Sequence, residues 1–174
     1  MATGRANQLT KQIGEYLVAA ELGRRGLIAA TFSGSVPDYD IVATDAEFRS
    51  VLIQVKAVTG GSWQFDIRRF VDVRLEGDRQ VVGALAPPVH SVAVVMVALS
   101  RTGDDRFYIL PWTKLQEIIV TGYQNYLSRH GGIRPKRVDS FHCQITENDL
   151  LSFKDAWYGE LHERRGLSVD LLDA

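Results

Sequence analysis

Apolar residues near the start of the chain lie three or four positions apart. Within residues 11–25 this spacing predicts a helix, with Thr10 as its N-cap and Gly26 as the residue that ends it. The positions that carry the pattern are Ile13, Leu17, Val18, Ala19, Ala20 and Leu22.

Apolar and alternating segments that predict strands follow this helix. Segment 92–99 is apolar throughout, which is typical of a strand buried on both faces. In segment 63–75 the side chains alternate moderately well from Trp63 onward, which predicts one long strand. A loop is expected at residues 33–37, where Ser, Gly and Pro are concentrated. The other predicted strands are residues 27–32, 39–44, 50–58 and 106–110.

Two more helices are predicted towards the end of the chain. Residues 112–127 have helical spacing, although Gly122 weakens the prediction. Residues 147–161 predict a last helix, with Thr146 as its cap and Asp149 as a favourable charge in its first turn. A helix, four to six strands and two helices, in that order, indicate an α/β fold in which helices flank a mixed central sheet.

Composition limits the class of protein. The chain has 174 residues, of which 45% are hydrophobic and 24% are charged, as in an ordinary globular domain. We expect one domain over residues 1–162 and a loosely ordered tail over residues 163–174. No apolar run approaches the ~18 residues of a membrane-spanning helix, and residues 1–11 lack the apolar core of a signal peptide. The one cysteine, Cys143, cannot form an internal disulfide, so we expect a cytoplasmic protein without a membrane partner.

Charge is unevenly distributed although the net charge is only −1. Residues 1–138 hold 17 basic and 13 acidic residues, whereas residues 139–174 hold 3 and 8. A basic surface can therefore bind phosphate on a nearly neutral protein. A solvated surface without a ligand explains the same charges equally well. The candidates for contacts with nucleic acid are Arg68, Arg69, Arg134, Lys136 and Arg137.

Polar residues interrupt two neighbouring apolar strands. Asp38 and Asp40 precede the run Ile-Val-Ala, and Gln54 and Lys56 alternate with apolar residues in the next strand. Side chains two positions apart share one face of a strand, so Asp40, Gln54 and Lys56 can meet if the strands are hairpin neighbours. Burying such groups is costly, which suggests a function. An ordinary salt bridge from Asp40 to Lys56 is the alternative.

Glu15 adds a fourth group to these three. On the predicted helix it shares a stripe with Val18, Ala19 and Leu22, which are all apolar. Its carboxylate either reaches water at the rim of the stripe or points inward. Both positions are open from the pattern alone.

Three short motifs together resemble the PD-(D/E)XK nuclease superfamily. They are Gly14-Glu15 on the first helix, Asp40 before Ile-Val-Ala, and Gln54-Val55-Lys56 at the end of the next strand. They are most similar to the branch that contains archaeal-type Holliday-junction resolvases and Mrr-type restriction endonucleases. The resemblance covers about residues 10–60. It implies a restriction-endonuclease-like fold, a DNA substrate and endonuclease activity that depends on Mg²⁺ or Mn²⁺.

The resemblance also implies roles for individual residues. Lys56 would orient or deprotonate the attacking water, and Asp38 would compete with Asp40 for the metal. Gln54 stands where the family usually has an acid, although Mrr-type members use Q-x-K. A non-catalytic module that binds DNA or a protein partner therefore remains the alternative, and the resemblance also allows a homodimer. The residues that would hold one metal ion are Glu15, Asp40, Gln54 and Val55.

Overall fold

The computed structural model describes residues 4–32, 38–87 and 92–157. The described parts contain two α-helices, nine strands and two 3₁₀ segments, at Ile67–Arg69 and Glu147–Phe153. The helices are α1 (Gly4–Arg24) and α2 (Trp112–Arg129). The strands are β1 (Ile28–Thr31), β2 (Ile41–Thr44), β3 (Ser50–Val58), β4 (Ser62–Asp66), β5 (Val71–Glu76), β6 (Arg79–Leu85), β7 (Val92–Ala98), β8 (Arg106–Pro111) and β9 (His142–Thr146).

The central sheet contains five strands within the described residues, in the order β1-β2-β3-β7-β8. Strands β3 and β7 are parallel, and the other neighbours are antiparallel. β2 and β3 form the expected hairpin, with Ile41 opposite Ile53. The predicted α/β class with a mixed central sheet is therefore confirmed.

The helices cover opposite faces of this sheet. Val18 and Leu22 of α1 pack in one core with Ile53 and Val55 of β3. The α2 side chains form a second core with residues of β7 on the other face. All seven residues of β7 are buried, as the continuous apolar segment predicted.

Gly14 allows α1 to lie directly against β3. A Cβ atom at position 14 would come within 2.4 Å of the Cβ of Ala57, and 3.5 Å from a methyl group of Val55. Only glycine permits this approach without a shift of helix or strand. The contact places the adjacent residue, Glu15, beside the strand that carries Lys56.

The prediction of one strand over residues 63–75 is wrong. β4 ends at Asp66, whose carboxylate accepts a hydrogen bond from the backbone N–H of Arg68 and caps a 3₁₀ turn. The chain then enters a different sheet, because β4 pairs with β9 whereas β5 pairs with β6. A polar side chain that competes for backbone hydrogen bonds therefore outweighs the alternating pattern.

Helix ends differ from the predictions in two places. α1 begins at Gly4, so Thr10 lies inside the helix and is not its N-cap. The expected stop at Gly26 is present, with a φ of 74° that favours glycine. Thr146 and Asp149 form a capping box, but the segment they cap is 3₁₀ and ends at Phe153.

Three predicted segments lie wholly or partly outside the described residues, and two observed strands were not predicted. The segments outside the described residues are the predicted loop at residues 33–37, the last part of the predicted helix at residues 147–161 and the predicted tail at residues 163–174. Strands β6 and β9 were not predicted. In the parts of the chain that the structure describes, neither helix is long and apolar enough to cross a membrane.

Candidate functional site

Asp40 lies where the hairpin of β2 and β3 opens. Its backbone N–H donates to the carbonyl of Ile53 at 2.8 Å, which continues the ladder by one bond. Its Oδ2 atom accepts a hydrogen bond from the backbone N–H of Val55, also at 2.8 Å. The carboxylate is thus held against the edge of β3, and its second oxygen contacts the ammonium of Lys11.

Glu15 and Asp40 lie on either side of the same ammonium group. The Nζ atom of Lys11 is 3.1 Å from Oδ1 of Asp40 and 3.4 Å from Oε1 of Glu15. The two acidic side chains are only 12% and 13% exposed, whereas that of Lys11 is 51% exposed. Glu15 therefore points into the site, which is one of the two positions that the sequence left open.

Gln54 is buried beside the carboxylates, with 8% of its surface exposed. Its Nε2 atom donates to the backbone carbonyl of Asp38 at 3.3 Å. Asp38 itself is exposed and has a left-handed backbone with a φ of 72°. Asp38 therefore contributes its carbonyl to the site, and it is the carboxylate of Asp40 that contacts Lys11.

Lys56 and Glu15 approach the site from opposite faces of the sheet. Ile53 and Val55 pack on the α1 side, so Gln54 and Lys56 project from the other face by strand alternation. Burial raises the pKa of Glu15 and lowers that of Lys56, and the charge of each residue works weakly against the shift in the other. The charge of Asp40 raises the pKa of both residues.

The electrostatics of the site are dominated by burial and by close charges of both signs. Burial lowers the pKa of Lys56, and Arg69 and Lys11 lower it further against the opposing effect of Asp40. Burial also raises the pKa of Glu15, and the nearby carboxylate of Asp40 adds to this. For Lys11, burial lowers the pKa, but the ion pairs with the two carboxylates outweigh it and raise the pKa overall.

Val55 can offer the site only its backbone, since its side chain is 2% exposed in the core under α1. In an extended strand the N–H and C=O of one residue point to the same edge. The N–H of Val55 points to Asp40. Its carbonyl therefore lies along the same edge of β3.

Most of the cationic residues expected to contact DNA have partners within the protein. Arg68 is paired with Asp66 at 2.5 Å, and Arg137 lies 3.4 Å from Asp139. Arg134 donates to the carbonyl of His142 at 2.8 Å. Arg69 differs, because its exposed side chain lies close enough to Lys56 to lower the pKa of that lysine. The remaining candidate, Lys136, is exposed on the loop after α2.

Sequence reasoning missed Lys11. Its signal was present, since Lys11 and Glu15 are four residues apart on one helix and such pairs face each other. The ion pair with Asp40 depends on how α1 packs against the hairpin and could not be predicted from spacing alone.

The site contains two carboxylates. Among the described residues, no three side chains of His, Cys, Asp or Glu come together as a metal-binding group. Any further oxygen donors would have to come from Gln54, from the carbonyl of Val55 and from water. In the part of the chain that the structure describes, two carboxylates offer a position for one cation, and the additional acids of a two-metal site are absent from this part of the chain.

No family model and no curated protein matches the chain. Among solved structures, the chain is similar to "The structure of a bacterial homing endonuclease: I-Ssp6803I", with 15% sequence identity and a TM-score of 0.47. The similarity covers 86% of this chain and 89% of that chain. At this level of similarity, the function of the chain has to be inferred from its own residues.

Proposed function

We propose that this chain is a metal-dependent nuclease that hydrolyses phosphodiester bonds in DNA. The observation that carries the proposal is a pair of largely buried carboxylates, Asp40 and Glu15, that face a single cationic group. The cationic group in place is the ammonium of Lys11. A lysine, a glutamine and an arginine close to the pair supply the other groups that phosphodiester hydrolysis needs.

The residues present fit a divalent cation such as Mg²⁺ or Mn²⁺. The ammonium of Lys11 acts as a stand-in, because it lies 3.1 Å and 3.4 Å from one oxygen of each carboxylate. The remaining candidate donors, from Gln54 and Val55, are also oxygens, and oxygen donors suit a hard cation that keeps several waters. The amide nitrogen of Gln54 donates a hydrogen bond to the carbonyl of Asp38, so the amide oxygen of Gln54 is the atom left to face a ligand. The carbonyl of Val55 lies on the same edge of β3.

Each residue has a distinct proposed role in hydrolysis. When bound, the metal would lower the pKa of a water and neutralise charge on the phosphate. Asp40 and Glu15 hold the cation position, and the hydrogen bond from Val55 keeps Asp40 oriented. Lys56 orients the attacking water and stabilises the negative charge that develops on the phosphate.

DNA is the proposed substrate because cations surround the site although the chain as a whole is nearly neutral. Arg69 is exposed and acts electrostatically on Lys56, so it is the strongest candidate for a phosphate contact. The neighbouring Arg68 is already paired with Asp66, so its charge is partly neutralised. We therefore expect modest, salt-dependent affinity for DNA rather than strong nonspecific binding.

A non-catalytic module that binds DNA or a protein partner is the second candidate. It is favoured by Gln54, which provides no negative charge where an acid would strengthen metal binding. It is also favoured by Lys11, which already neutralises part of the charge of the two carboxylates. The two candidates share a binding surface and differ in whether the site hydrolyses DNA.

Cleavage assays with matched variants separate the two candidates. Plasmid, single-stranded and branched DNA are incubated with the wild type in Mg²⁺ and in Mn²⁺. We expect cleavage that Asp40→Asn and Lys56→Met abolish. The controls Asp72→Asn and Lys114→Met remove a surface aspartate and a surface lysine that are each held in another ion pair, and they should retain activity. If the wild type cleaves no substrate with either metal, the catalytic proposal is wrong and the binding module is favoured.

A further inference from the structure

Lys11 occupies the position that a metal ion would take between the two carboxylates. Its ammonium contacts Oδ1 of Asp40 and Oε1 of Glu15, whereas the other oxygen of Asp40 accepts a hydrogen bond from the backbone N–H of Val55. The oxygens that face a cation are therefore the same ones that contact the lysine. A lysine ammonium and a divalent cation cannot both fill this position.

We propose that Lys11 is an internal counter-ion that a divalent cation must displace before the site becomes active. This inference rests on the proposed function and adds a form of regulation to the same site. The ammonium keeps two largely buried carboxylates compensated while no metal is bound. It thereby raises the concentration of metal that is needed to fill the site.

The geometry makes this lysine easy to displace. Its side chain is 51% exposed although it extends from the same side of α1 as Glu15, so a released ammonium returns directly to water. Ion pairs made by so exposed an ammonium are weak, because water competes with the carboxylates for it. The carboxylates cannot leave in the same way, because they are 12% and 13% exposed and Asp40 is tethered to β3.

Displacement has a measurable consequence for metal affinity. The wild type must lose two weak ion pairs when it binds a divalent cation, whereas a variant without the ammonium does not. Removing the charge of Lys11 should therefore tighten binding of Mn²⁺ by about tenfold. Replacing it by arginine should not tighten binding, because a guanidinium holds carboxylates through two parallel hydrogen bonds.

The test measures Mn²⁺ binding directly, in the absence of DNA, from the electron paramagnetic resonance signal of the unbound ion. Lys11→Met is compared with the wild type and with Lys11→Arg. The matched control is Lys114→Met, because Lys114 is 52% exposed and pairs with Glu117 on α2. Asp40→Asn reports whether binding occurs at the proposed site. Circular dichroism spectra show whether each variant is folded.

The outcomes separate this inference from the function on which it rests. The counter-ion role of Lys11 is supported if Lys11→Met binds Mn²⁺ more tightly than the wild type while Lys114→Met and Lys11→Arg do not. If Lys11→Met binds Mn²⁺ no more tightly than the wild type while Asp40→Asn abolishes binding, the metal site stands and the counter-ion is wrong. If neither the wild type nor any variant binds Mn²⁺ at millimolar concentration, the proposed metal site is wrong, and so is the proposed role of Lys11 as its counter-ion.

Discussion

The carboxylate of Asp40 accepts a hydrogen bond from the backbone N–H of Val55, fifteen residues further along the chain. It takes the place that a backbone carbonyl of β2 would have if the hairpin continued. The pairing of β2 with β3 consequently stops at this point, and an edge of β3 opens beside Gln54 and Lys56. One side chain thus ends a strand and builds the candidate site.

Substitutions of Asp40 should separate its structural from its chemical contribution. Asp40→Ala leaves the N–H of Val55 without its acceptor and should lower the free energy of unfolding by about 1–3 kcal/mol. Asp40→Asn keeps an oxygen acceptor and should cost less than about 1 kcal/mol while removing the charge that faces Lys11. Urea unfolding of both variants measures the difference. Equal losses in the two variants would show that the hydrogen bond does not stabilise the hairpin.

Gly14 and Gly122 should respond in opposite directions to the same substitution. A Cβ at Gly14 would meet the Cβ of Ala57 at 2.4 Å, whereas one at Gly122 meets nothing within 4 Å. Gly14→Ala should destabilise the protein by about 1–3 kcal/mol, because helix and strand must move apart. Gly122→Ala should stabilise it by about 1 kcal/mol through helix propensity. Thermal unfolding of both variants checks this, and a stabilised Gly14→Ala would refute the close packing of α1.

Local patterns predicted the parts of the site that lie on single elements. Alternation placed Gln54 and Lys56 on one face of β3, and the hairpin with Asp40 followed from two adjacent apolar runs. The break at Asp66 could not be predicted, because whether its carboxylate caps a turn or faces solvent depends on the neighbouring sheet. Strand β9 pairs with β4 across about eighty residues, and the sequence pattern holds no information about such distant pairing.

Glu147 should make stability depend on acid pH. Hydrogen bonds from Arg106 hold its pKa at about 2, with a further contribution from Tyr108, against the effect of partial burial. A carboxyl with a lowered pKa in the folded state contributes stability above its ordinary pKa, and this contribution is lost as the pH falls towards 2. Glu147→Gln should therefore be less stable than the wild type at pH 6, and the difference should shrink between pH 4.5 and 2.

Urea unfolding of the two proteins at several pH values measures this contribution. The matched control is Glu117→Gln, which alters an exposed ion pair with Lys114 on α2. The control should show a much smaller difference from the wild type, because exposed pairs contribute little. A difference between Glu147→Gln and the wild type that is the same at pH 6 and pH 2 would exclude the ion pair as its source.

Two adjacent arginines provide a test of how DNA would meet the site. Arg68 is paired with Asp66 at 2.5 Å and lies over the ring of Phe141, so its charge is already engaged. Arg69 is exposed and lowers the pKa of Lys56, so its charge acts on a residue of the candidate site. Arg69→Ala should therefore weaken DNA binding more than Arg68→Ala does. It should also reduce the slope of log affinity against log salt by about one unit, as expected for one lost phosphate contact.

Fluorescence anisotropy with labelled duplex DNA measures both quantities when divalent metal is left out, so that no cleavage occurs. Arg101→Ala serves as a control for the removal of an exposed arginine on the turn between β7 and β8. Equal effects of Arg68→Ala and Arg69→Ala would mean that the ion pair with Asp66 opens when DNA binds. An unchanged salt slope in Arg69→Ala would place the phosphate contacts elsewhere, and the loop that carries Lys136 would be the next surface to neutralise.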